Sequence, residues 1–312
     1  MRKRICLGFA ALLLGLALLP GCTEVVKVGT TVGQGMGAIS GQDKEAIDRL
    51  AVQTAKAVRP MTDQEEHYVG RAVAAMVLGQ YRLCNSDRLT FYVNAVGQTV
   101  ALSSERPFTY GGYHFAVLES DEINALSCPG GTIFITRGMV HRARNEEELA
   151  AILAHEIAHV NHKDGLASIQ KSRWVEAVSV LGSEAARKFG GAELTKLVSL
   201  FEGSANDVMK TLLVNGYGRA QEEAADRSAL TFLLRLGYNP YGLSDLLGTL
   251  AREQTRGARQ GIFATHPGMN QRIAQCNSTL SKNQWQRTDD PNRDRRFQEC
   301  EQIEKREGAG IF

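Results

Sequence analysis

The sequence predicts an α+β fold that is mostly helical and contains one small sheet. Apolar residues recur at helical spacing along most of the 312 residues. The spacing changes at 113–118 and 132–136, two short runs rich in aromatic or β-branched residues that flank the turn-forming stretch Cys128-Pro129-Gly130-Gly131. With 43% hydrophobic and 22% charged residues the composition is globular, which excludes a disordered chain and a multi-span membrane protein. The balance of 36 Lys and Arg against 34 Asp and Glu disfavours nucleic acid as a partner.

The N-terminal 21 residues have the organisation of a secretory signal peptide. Basic residues at positions 2–4 precede an apolar run over 5–19, which is shorter than the roughly 20 residues that a membrane-spanning helix needs. The run ends in Leu19-Pro20-Gly21-Cys22, which resembles a bacterial lipobox. This resemblance implies that residues 1–21 are removed and that acyl chains on Cys22 attach the protein to a membrane. Thr23 then implies the periplasmic face of the outer membrane, because an Asp there retains many lipoproteins at the inner membrane. A cysteine that follows a signal sequence by chance is the alternative.

Residues 22–42 are predicted to form a flexible, glycine-rich tether. Glycine recurs every four residues from Gly29 to Gly41, and the polar residues among them exclude a membrane-spanning helix. Helical periodicity follows over 43–58 and 62–80, and the second segment opens with the capping box Thr62-Asp63-Gln64-Glu65. The apolar residues between positions 89 and 100 continue the helical spacing.

Most of the chain after the second predicted strand is also expected to be helical. The helical segments are 145–162, 166–189, 192–213, 220–236 and 241–254. The last part, 276–312, is polar with mixed charges, and we expect a solvated extension there. The main domain therefore spans residues 43–275.

Four cysteines remain if Cys22 is lipidated. They are Cys84, Cys128, Cys276 and Cys300. In an oxidising compartment this even number is consistent with two disulfide bonds, for which three pairings exist. We prefer Cys276 with Cys300, because both lie in the C-terminal segment, which leaves Cys84 with Cys128. Four buried free thiols are the alternative.

The predicted helix 145–162 carries the sequence His155-Glu156-Ile157-Ala158-His159. Two histidines four residues apart share one face of a helix and can bind one metal ion, with Glu156 at the side where water can sit. This pattern is typical of a zinc site. His162 is about 10.5 Å of helical rise from His155, which is too far for both to join His159 on one ion. A third ligand should therefore come from another segment.

The best candidate for that ligand is Glu222, in the stretch Gln221-Glu222-Glu223-Ala224-Ala225-Asp226. Glu222 and Asp226 are four residues apart on a predicted helix, and the two alanines allow close packing of a second helix. Asp226 would then accept a hydrogen bond from the other ring N–H of a metal-bound histidine. An ordinary acidic helix face is the alternative, and the spacing alone does not exclude it.

The two motifs together resemble the M48 family of zinc metallopeptidases, whose third ligand is the first Glu of an E-x-x-x-D motif. Similar stretches occur in the family's order: Asn124-Ala125, the run from Pro129 to Gly138, Arg219, Gly237-Tyr238-Asn239-Pro240, Thr265-His266-Pro267 and Arg272-Ile273. The resemblance covers about residues 61–275 and is greatest to periplasmic lipoprotein members, without the helical-repeat domain that some of them carry. It implies a mostly helical zincin core with a small sheet beside the active-site helix. It also implies one zinc ion per subunit, bound by His155, His159 and Glu222.

The resemblance further implies how the site works. Glu156 is expected to take a proton from water and pass it to the leaving amine, so that no covalent intermediate forms. His266 is expected either to stabilise the oxyanion or to bind the zinc and keep the enzyme latent, and a purely structural histidine is the alternative. Arg272 is expected to hold that loop or the substrate.

The second predicted strand is a candidate substrate platform. Its residues Thr132, Ile133, Phe134 and Ile135 are expected to form an edge strand that holds an extended peptide through backbone hydrogen bonds, which ignore the peptide's sequence. A plain core strand is the alternative.

Two functions of different classes fit these features. The first is an endopeptidase that hydrolyses unfolded or misfolded envelope proteins. The second is a periplasmic chaperone or assembly factor, partnered with the outer-membrane protein assembly machinery, in which zinc is mainly structural and proteolysis is rare. The presence of Glu156 favours the endopeptidase, because a binding module has no physical need of a general base.

Overall fold

The computed structural model of the protein describes residues 60–169 and 194–309, apart from four single positions, together with isolated positions between 30 and 48. The predicted signal peptide and Cys22 lie outside the described residues, as do most of the predicted helices 43–58 and 166–189. The described part is mostly helical with a three-stranded sheet, which confirms the predicted α+β fold.

The chain divides into two compact units. One contains residues 1–65 and 170–192, and the other contains 66–169 and 193–312. In the first unit, the described positions 30, 31, 34, 41 and 42 of the predicted tether are helical. Thr30 is buried there and donates a hydrogen bond of 2.7 Å to Asp48, so at these positions the segment is folded.

Helix α1 (Asp63–Gln80) begins at the predicted capping box. The Thr62 hydroxyl accepts a hydrogen bond of 3.2 Å from the Glu65 N–H, and the Glu65 carboxylate accepts one of 2.9 Å from the Thr62 N–H. Two backbone donors that a helix start leaves without intrahelical acceptors are thereby satisfied.

Helix α2 (Asp87–Leu102) begins at Ser86, whose hydroxyl accepts a hydrogen bond of 3.3 Å from the Leu89 N–H. Its buried face has the helical spacing that the sequence predicts, with Leu89, Val93, Val96 and Val100. Burying each such side chain stabilises the fold by about 1.5–3 kcal/mol. This face packs on the sheet and on the helix that carries the two candidate histidine ligands.

The sheet contains strands β1 (His114–Leu118), β2 (Ala125–Ser127) and β3 (Thr132–Thr136) in the spatial order β1-β3-β2. β3 pairs with β1 in parallel and with β2 in antiparallel orientation, so it is the central strand. The prediction that Thr132, Ile133, Phe134 and Ile135 form an edge strand is therefore wrong. The backbone N–H and C=O groups of β3 form hydrogen bonds with strands on both sides. The edge strand β2 is only three residues long, so its sequence has too few residues to show the alternation that predicts a strand.

The other edge of the sheet is covered by side chains of α2. The Asn94 amide accepts a hydrogen bond of 3.2 Å from the Phe115 N–H and donates one to the Phe115 carbonyl oxygen. Gln98 donates one of 2.6 Å to the Tyr113 carbonyl oxygen. These amides occupy the positions that another strand would take along β1.

A short helix and a long one follow the sheet. The Thr136 hydroxyl accepts from the Met139 N–H at the start of α3 (Arg137–Arg142). Helix α4 (Glu146–His162) is capped by the predicted residue Asn145, which accepts a hydrogen bond of 3.0 Å from the Glu148 N–H. Residues 146–160 of α4 are all buried, so the helix runs through the core of its unit. Lys163 then takes a left-handed conformation, with φ 58° and ψ 32°, and α5 (Asp164–Ala167) follows.

Six further described helices follow along the chain. They are α6 (Leu194–Lys210), α7 (Arg219–Arg235), α8 (Tyr241–Thr255), α9 (Ile262–Thr265), α10 (Met269–Lys282) and α11 (Pro291–Ala309), and a π-helical turn (Thr211–Asn215) follows α6. Helix α7 packs closely on α4. Of the two alanines that the sequence predicts at this contact, Ala225 is fully buried and Ala224 is half-buried, and the fully buried Ala229 is a further small residue on the helix. At the start of α8, a side chain at Gly242 would lie 2.7 Å from the Glu147 carbonyl oxygen, so only glycine fits there.

The C-terminal segment is not the solvated extension that the sequence predicts. Its helix α11 buries Phe297 and Cys300 in the core cluster. Two arginines bind the first turn of α4: Arg296 lies 2.6 Å from the Glu146 carboxylate, and Arg293 lies 3.1 Å from that of Glu147. Polar residues dominate this helix because only a narrow side of it contacts the core. The sequence does not reveal the contact, because the acidic partners of the arginines lie about 150 residues earlier.

The two predicted disulfide bonds are not formed. In the described part of the chain Cys128 and Cys276 are buried free thiols. The Cys128 N–H donates a hydrogen bond to the carbonyl oxygen of Thr132, at the start of β3. The Cys84 N–H donates one to the carbonyl oxygen of Val117, near the end of β1. Since β1 and β3 are parallel, the two cysteines are separated by roughly 10 Å along the strands, beyond the Cα separation that a disulfide spans.

Sequence proximity is also misleading for the second pair. The Cys276 thiol, on α10, interacts with Asp226 and Arg272, whereas the Cys300 thiol, on α11, lies near Tyr92. The two thiols therefore face different neighbours. Within the described residues, no helix is both long enough and apolar enough to cross a membrane.

Candidate metal centre

Helices α4 and α7 bring together the three predicted ligands. The Nε2 atoms of His155 and His159 are 3.1 Å apart, and the Glu222 carboxylate oxygens lie 3.5 Å from the former and 3.4 Å from the latter. All three residues are buried. The four-residue spacing of the histidines places both rings on the face of α4 that meets α7.

A fourth residue, His266, completes the cluster. It follows α9, and its Nδ1 lies 3.0 Å from Glu222 and 3.3 Å from the Nε2 of His155. One ligand atom from each of His155, His159, Glu222 and His266 lies within 4.8 Å of the others, so the four could hold one metal ion. His162 lies apart, with its Nε2 3.1 Å from the Ser228 hydroxyl.

Two carboxylates fix the orientation of the imidazoles on α4. The Nδ1 of His155 is 3.0 Å from Asp226, as the sequence predicts for this residue. The Nδ1 of His159 donates to Asp164, at 2.8 Å. A carboxylate accepts at each Nδ1, so each Nε2 is left with a lone pair toward the cluster.

Asp164 was not predicted from the sequence. It lies beyond the end of α4, and the left-handed Lys163 turns the chain so that its carboxylate reaches back to His159. Gln221, beside Glu222 on α7, donates a hydrogen bond of 2.9 Å to the other oxygen of Asp164. The sign of this contact in the sequence is that Asp164 follows His159 by five residues, just beyond the end of the predicted helix.

Arg272 lies beside the cluster and is bound to its carboxylates. Its guanidinium donates two hydrogen bonds of 2.7 Å to Asp226 and lies 2.7 Å from the Glu222 carboxylate, and the side chain is buried. Both donor edges are used inside the protein, which does not favour the predicted role in binding substrate. Arg272 holds in place the carboxylates that face the histidines.

The buried carboxylates in and around the four-residue cluster favour the binding of a cation. Burial alone would lower the pKa of His159, but the Asp164 and Glu222 carboxylates raise it to about 9. Burial and Arg272 likewise act against protonation of His155, yet Asp226 and Glu222 raise its pKa. Burial would raise the pKa of Glu222, but His266 and the two other histidines hold it far below its usual range. Buried carboxylates thus stabilise positive charge on this set of ligands, which a divalent metal ion would supply.

The general-base candidate Glu156 lies beside the cluster and is itself buried. Both of its carboxylate oxygens are buried and have no hydrogen-bond partner among the described residues. The nearest ring nitrogen, Nε2 of His266, is 3.7 Å from Oε1. Buried carboxylate oxygens without donors are costly, so this position suits a water molecule beside a metal ion. Two oriented imidazoles, one carboxylate and a free acid therefore fit a hydrolytic zinc site.

Gly216 and Tyr217, between the π-helical turn and α7, cover the cluster together with the loop of His266. The Tyr217 N–H donates a hydrogen bond of 3.0 Å to the Thr265 carbonyl oxygen. At Gly216, φ is +71° and a side chain would lie 2.4 Å from that same oxygen, which requires glycine. The Tyr217 ring stacks on His159 with centroids 4.1 Å apart. Tyr217 was not predicted from the sequence, which carries no spacing signal for it.

Strand β2 is an edge strand of the sheet, and all three of its residues are buried. The Thr136 N–H donates a hydrogen bond to the Asn124 carbonyl oxygen, and the Cys128 N–H donates one to the Thr132 carbonyl oxygen. The backbone groups of the even-numbered residues in this stretch therefore face β3. By alternation the backbone groups of Ala125 and Ser127 point away from β3. β2 packs on α4, and the Tyr217 phenol interacts with both Ser127 and Glu156.

Comparisons with known proteins agree with this geometry. The sequence model described as Peptidase family M48 matches residues 88–280, more than half of the chain. The chain is 26% identical over 263 residues to the "Beta-barrel assembly-enhancing protease" of Escherichia coli, covering 81% of this chain and 50% of that protein. It is 27% identical over 194 residues to a "Protease HtpX homolog" of Salinibacter ruber, covering 54% of this chain and 68% of that protein.

A third relative is the "Mitochondrial metalloendopeptidase OMA1" of Schizosaccharomyces pombe, to which the chain is 27% identical over 172 residues, covering 55% of this chain and 48% of that protein. The chain thus spans about half the length of the Escherichia coli relative. The matched region contains the cluster of His155, His159, Glu222 and His266.

Proposed function

The chain belongs to peptidase family M48, and on this basis we propose that it is a zinc-dependent endopeptidase of the bacterial envelope. The observation that carries the proposal is a buried cluster of metal-binding side chains beside a glutamate whose carboxylate has no hydrogen-bond partner among the described residues. Such a glutamate has no structural use, whereas hydrolysis needs a base there.

One zinc ion would be held by the Nε2 atoms of His155 and His159 and by the carboxylate of Glu222. When bound, zinc supplies Lewis acidity that makes water a better nucleophile and polarises a carbonyl group. Asp226 and Asp164 keep the two imidazoles in the tautomer that binds a cation, and Arg272 keeps Glu222 and Asp226 in register with them.

Glu156 performs the proton transfers in this proposal. Its carboxylate takes a proton from the attacking water as the new C–O bond forms at the scissile carbonyl carbon. The same carboxyl group then gives this proton to the leaving nitrogen as the C–N bond breaks. A buried acid with two free oxygens has the freedom to accept and release a proton in turn.

The substrate is proposed to be an extended segment of an unfolded or misfolded envelope protein. The outward carbonyl group of Ala125 and the outward backbone groups of Ser127 would pair with such a segment, in place of the edge that the sequence assigned to β3. The Ala125 N–H already donates a hydrogen bond of 3.0 Å to the Asn124 side chain, and β2 is buried, so this edge would have to be uncovered first. Backbone pairing does not depend on side chains, which favours unfolded chains as a class. Attachment to the outer membrane through a lipidated Cys22 would hold the site in the periplasm, where such chains occur.

His266 supports a latent resting state. Its imidazole lies among the zinc-binding side chains, and all of these residues are buried. A histidine at this place would take the position that water needs, until the loop carrying it moves. In this form the protein would bind substrates and cleave them rarely.

A second candidate is a role in the assembly of outer-membrane proteins, with rare proteolysis. The name of the relative from Escherichia coli, "Beta-barrel assembly-enhancing protease", and the buried position of the cluster favour it. The outer-membrane protein assembly machinery would then be the partner.

The test is cleavage of casein by the purified protein with one equivalent of zinc, beside Glu156→Gln and His266→Ala. Cleavage by the wild type that Glu156→Gln abolishes, with zinc still bound, supports the endopeptidase. Cleavage by His266→Ala alone supports a latent endopeptidase. Zinc binding with no cleavage by either the wild type or His266→Ala overturns the endopeptidase and favours the assembly role.

A further inference from the structure

The hydroxyl group of Tyr217 makes no hydrogen bond of ordinary geometry within the described residues. It is buried, and the side chain of Ser127 lies beside it without reaching that geometry. Two other buried tyrosines, Tyr113 and Tyr238, and the half-buried Tyr92 differ in this respect. Tyr92 and Tyr238 both donate to Glu146, and Tyr113 donates to the Arg106 carbonyl oxygen. Folded proteins rarely bury a phenol without an acceptor, so the Tyr217 hydroxyl calls for a ligand.

Unpartnered polar atoms collect at this place. Within the described residues, such atoms occur on Ser104, Thr109, Ser127, Arg142, Glu156 and Tyr217. Both oxygens of Glu156 belong to this set, and the Tyr217 phenol interacts with the side chains of Glu156 and Ser127. One wall of the metal centre therefore presents two carboxylate oxygens and two hydroxyl groups that make no hydrogen bond of ordinary geometry within the described residues.

The position of Tyr217 is fixed by contacts that leave its hydroxyl free. Its N–H is bonded to Thr265, and its ring stacks on His159 at 4.1 Å with an interplanar angle of 21°. The ring edge also faces His266, with centroids 5.9 Å apart. These contacts hold the hydroxyl beside the proposed zinc ligands and on the side of β2.

We propose that Tyr217 is a further catalytic residue, whose phenolic O–H donates a hydrogen bond to the scissile carbonyl oxygen as negative charge develops on it. This inference rests on the proposed endopeptidase function. The phenol keeps its proton throughout. The water proton passes through Glu156 to the leaving nitrogen, one C–O bond forms and one C–N bond breaks. A donor already in position, in a site without bulk water, stabilises the developing charge without reorganisation.

His266 is less suited to this task in the observed arrangement. Its Nδ1 lies within 3.3 Å of both Glu222 and His155, inside the ligand cluster. A residue that takes part in the ligand set cannot at the same time donate from the opposite side of the carbonyl group. The Tyr217 hydroxyl is outside the ligand set and has no competing acceptor in the described residues.

The experiment compares Tyr217→Phe with the wild type in the full protein, using an internally quenched peptide derived from casein. Removal of the hydroxyl should lower kcat about 100-fold and change KM less than about threefold, as expected for one lost oxyanion donor. A phosphinic peptide, which has a tetrahedral oxyanion, should bind Tyr217→Phe weaker by a factor close to the loss in kcat. The carboxylic product peptide should bind both proteins alike.

If Tyr217 had only a structural role, Tyr217→Phe would lower the zinc content or Tm. The catalytic role predicts no such loss. Phenylalanine keeps the stacking on His159, and within the described residues the lost hydroxyl makes no hydrogen bond of ordinary geometry, so zinc content and Tm should equal those of the wild type. The matched control is Tyr113→Phe, which removes a hydroxyl bonded to Arg106 and Asn161 and should lower Tm with kcat unchanged.

The outcomes separate the two proposals. If the wild type cleaves the peptide and Tyr217→Phe cleaves it with equal kcat, or differs only in KM, the role of Tyr217 is overturned and the endopeptidase stands. Equal binding of the phosphinic peptide by both proteins also overturns that role. If neither the wild type nor His266→Ala cleaves the peptide or binds the phosphinic peptide, both proposals are overturned.

Discussion

Asp164 accepts a hydrogen bond of 2.8 Å from His159 although it lies beyond the end of the helix that carries the histidine. The left-handed Lys163 makes this return possible, and Gln221 holds the second carboxylate oxygen from the facing helix. One aspartate thus links both helices that carry the proposed zinc ligands.

Replacing this aspartate should weaken metal binding. In Asp164→Asn the group that orients His159 loses its charge, and we expect zinc affinity to fall about 10- to 100-fold, as is usual when the partner of a ligand imidazole is removed. Competition with a chelator of known affinity measures the change. The control is Asp121→Asn, since Asp121 is exposed and pairs only at the surface with Arg137. Equal affinities of the two variants would contradict the orienting role.

The third ligand can be identified by comparing neighbouring glutamates. Glu222→Gln should reduce zinc affinity more than about 100-fold, because it removes a ligand rather than the partner of one. Glu223→Gln should leave it nearly unchanged, since Glu223 contacts Gln271 at the surface. Metal analysis after dialysis against zinc measures both. Similar losses in the two variants would show that Glu222 is not the ligand.

The zinc-free protein should become less stable as the pH rises from about 6.5 to 9. The pKa of His159 is raised to about 9 in the folded chain, above its value of about 6.5 when unfolded, so the folded state binds this proton more tightly. The resulting stabilisation is complete below pH 6.5 and is lost as the pH passes 9. Tm of metal-free protein across this range tests it, and a Tm that stays level or increases would count against it. In Asp164→Asn the decrease should be smaller, because a carboxylate that raises this pKa is absent.

The C-terminal helix should stabilise the active-site helix. Arg296→Gln leaves the buried Glu146 carboxylate without its guanidinium, and we expect a loss of about 2 kcal/mol in the free energy of unfolding. The value lies below that of a fully buried pair because Arg296 is half exposed and Tyr92 and Tyr238 still donate to Glu146.

Urea unfolding measures this loss. Arg295→Gln is the control, since Arg295 contacts Asn292 of its own helix and should cost less than about 0.5 kcal/mol. Equal effects of the two variants would mean that the pairing with Glu146 does not stabilise the protein.

Local signals account for most of what the sequence predicted. The capping box at Thr62 and the cap at Asn145 fix helix starts within a few residues, and helical spacing marks the buried face of α2. The pairing of His155 with His159 needs only one helical turn. Features that depend on residues within one turn of each other can be found from one sequence.

The features that were missed depend on contacts between distant segments. The order of the strands places β3 at the centre, and no property of residues 132–136 alone reveals a third strand of three residues on its far side. The ion pairs of Arg293 and Arg296 join residues about 150 positions apart, so composition could only indicate a polar segment. The cysteine pairing failed for the same reason, because sequence order does not give position in a sheet or on a helix face.

The amides of Asn94 and Gln98 along β1 close that edge of the sheet to a further strand. If the protein binds extended chains through backbone hydrogen bonds, a second open edge would let bound chains, or further copies of the protein, extend the sheet into an aggregate. With β1 closed by side chains of its own fold, an added strand would join beside β2. Such a strand would have one location and one neighbour, so that binding of unfolded polypeptide would be an ordered docking event.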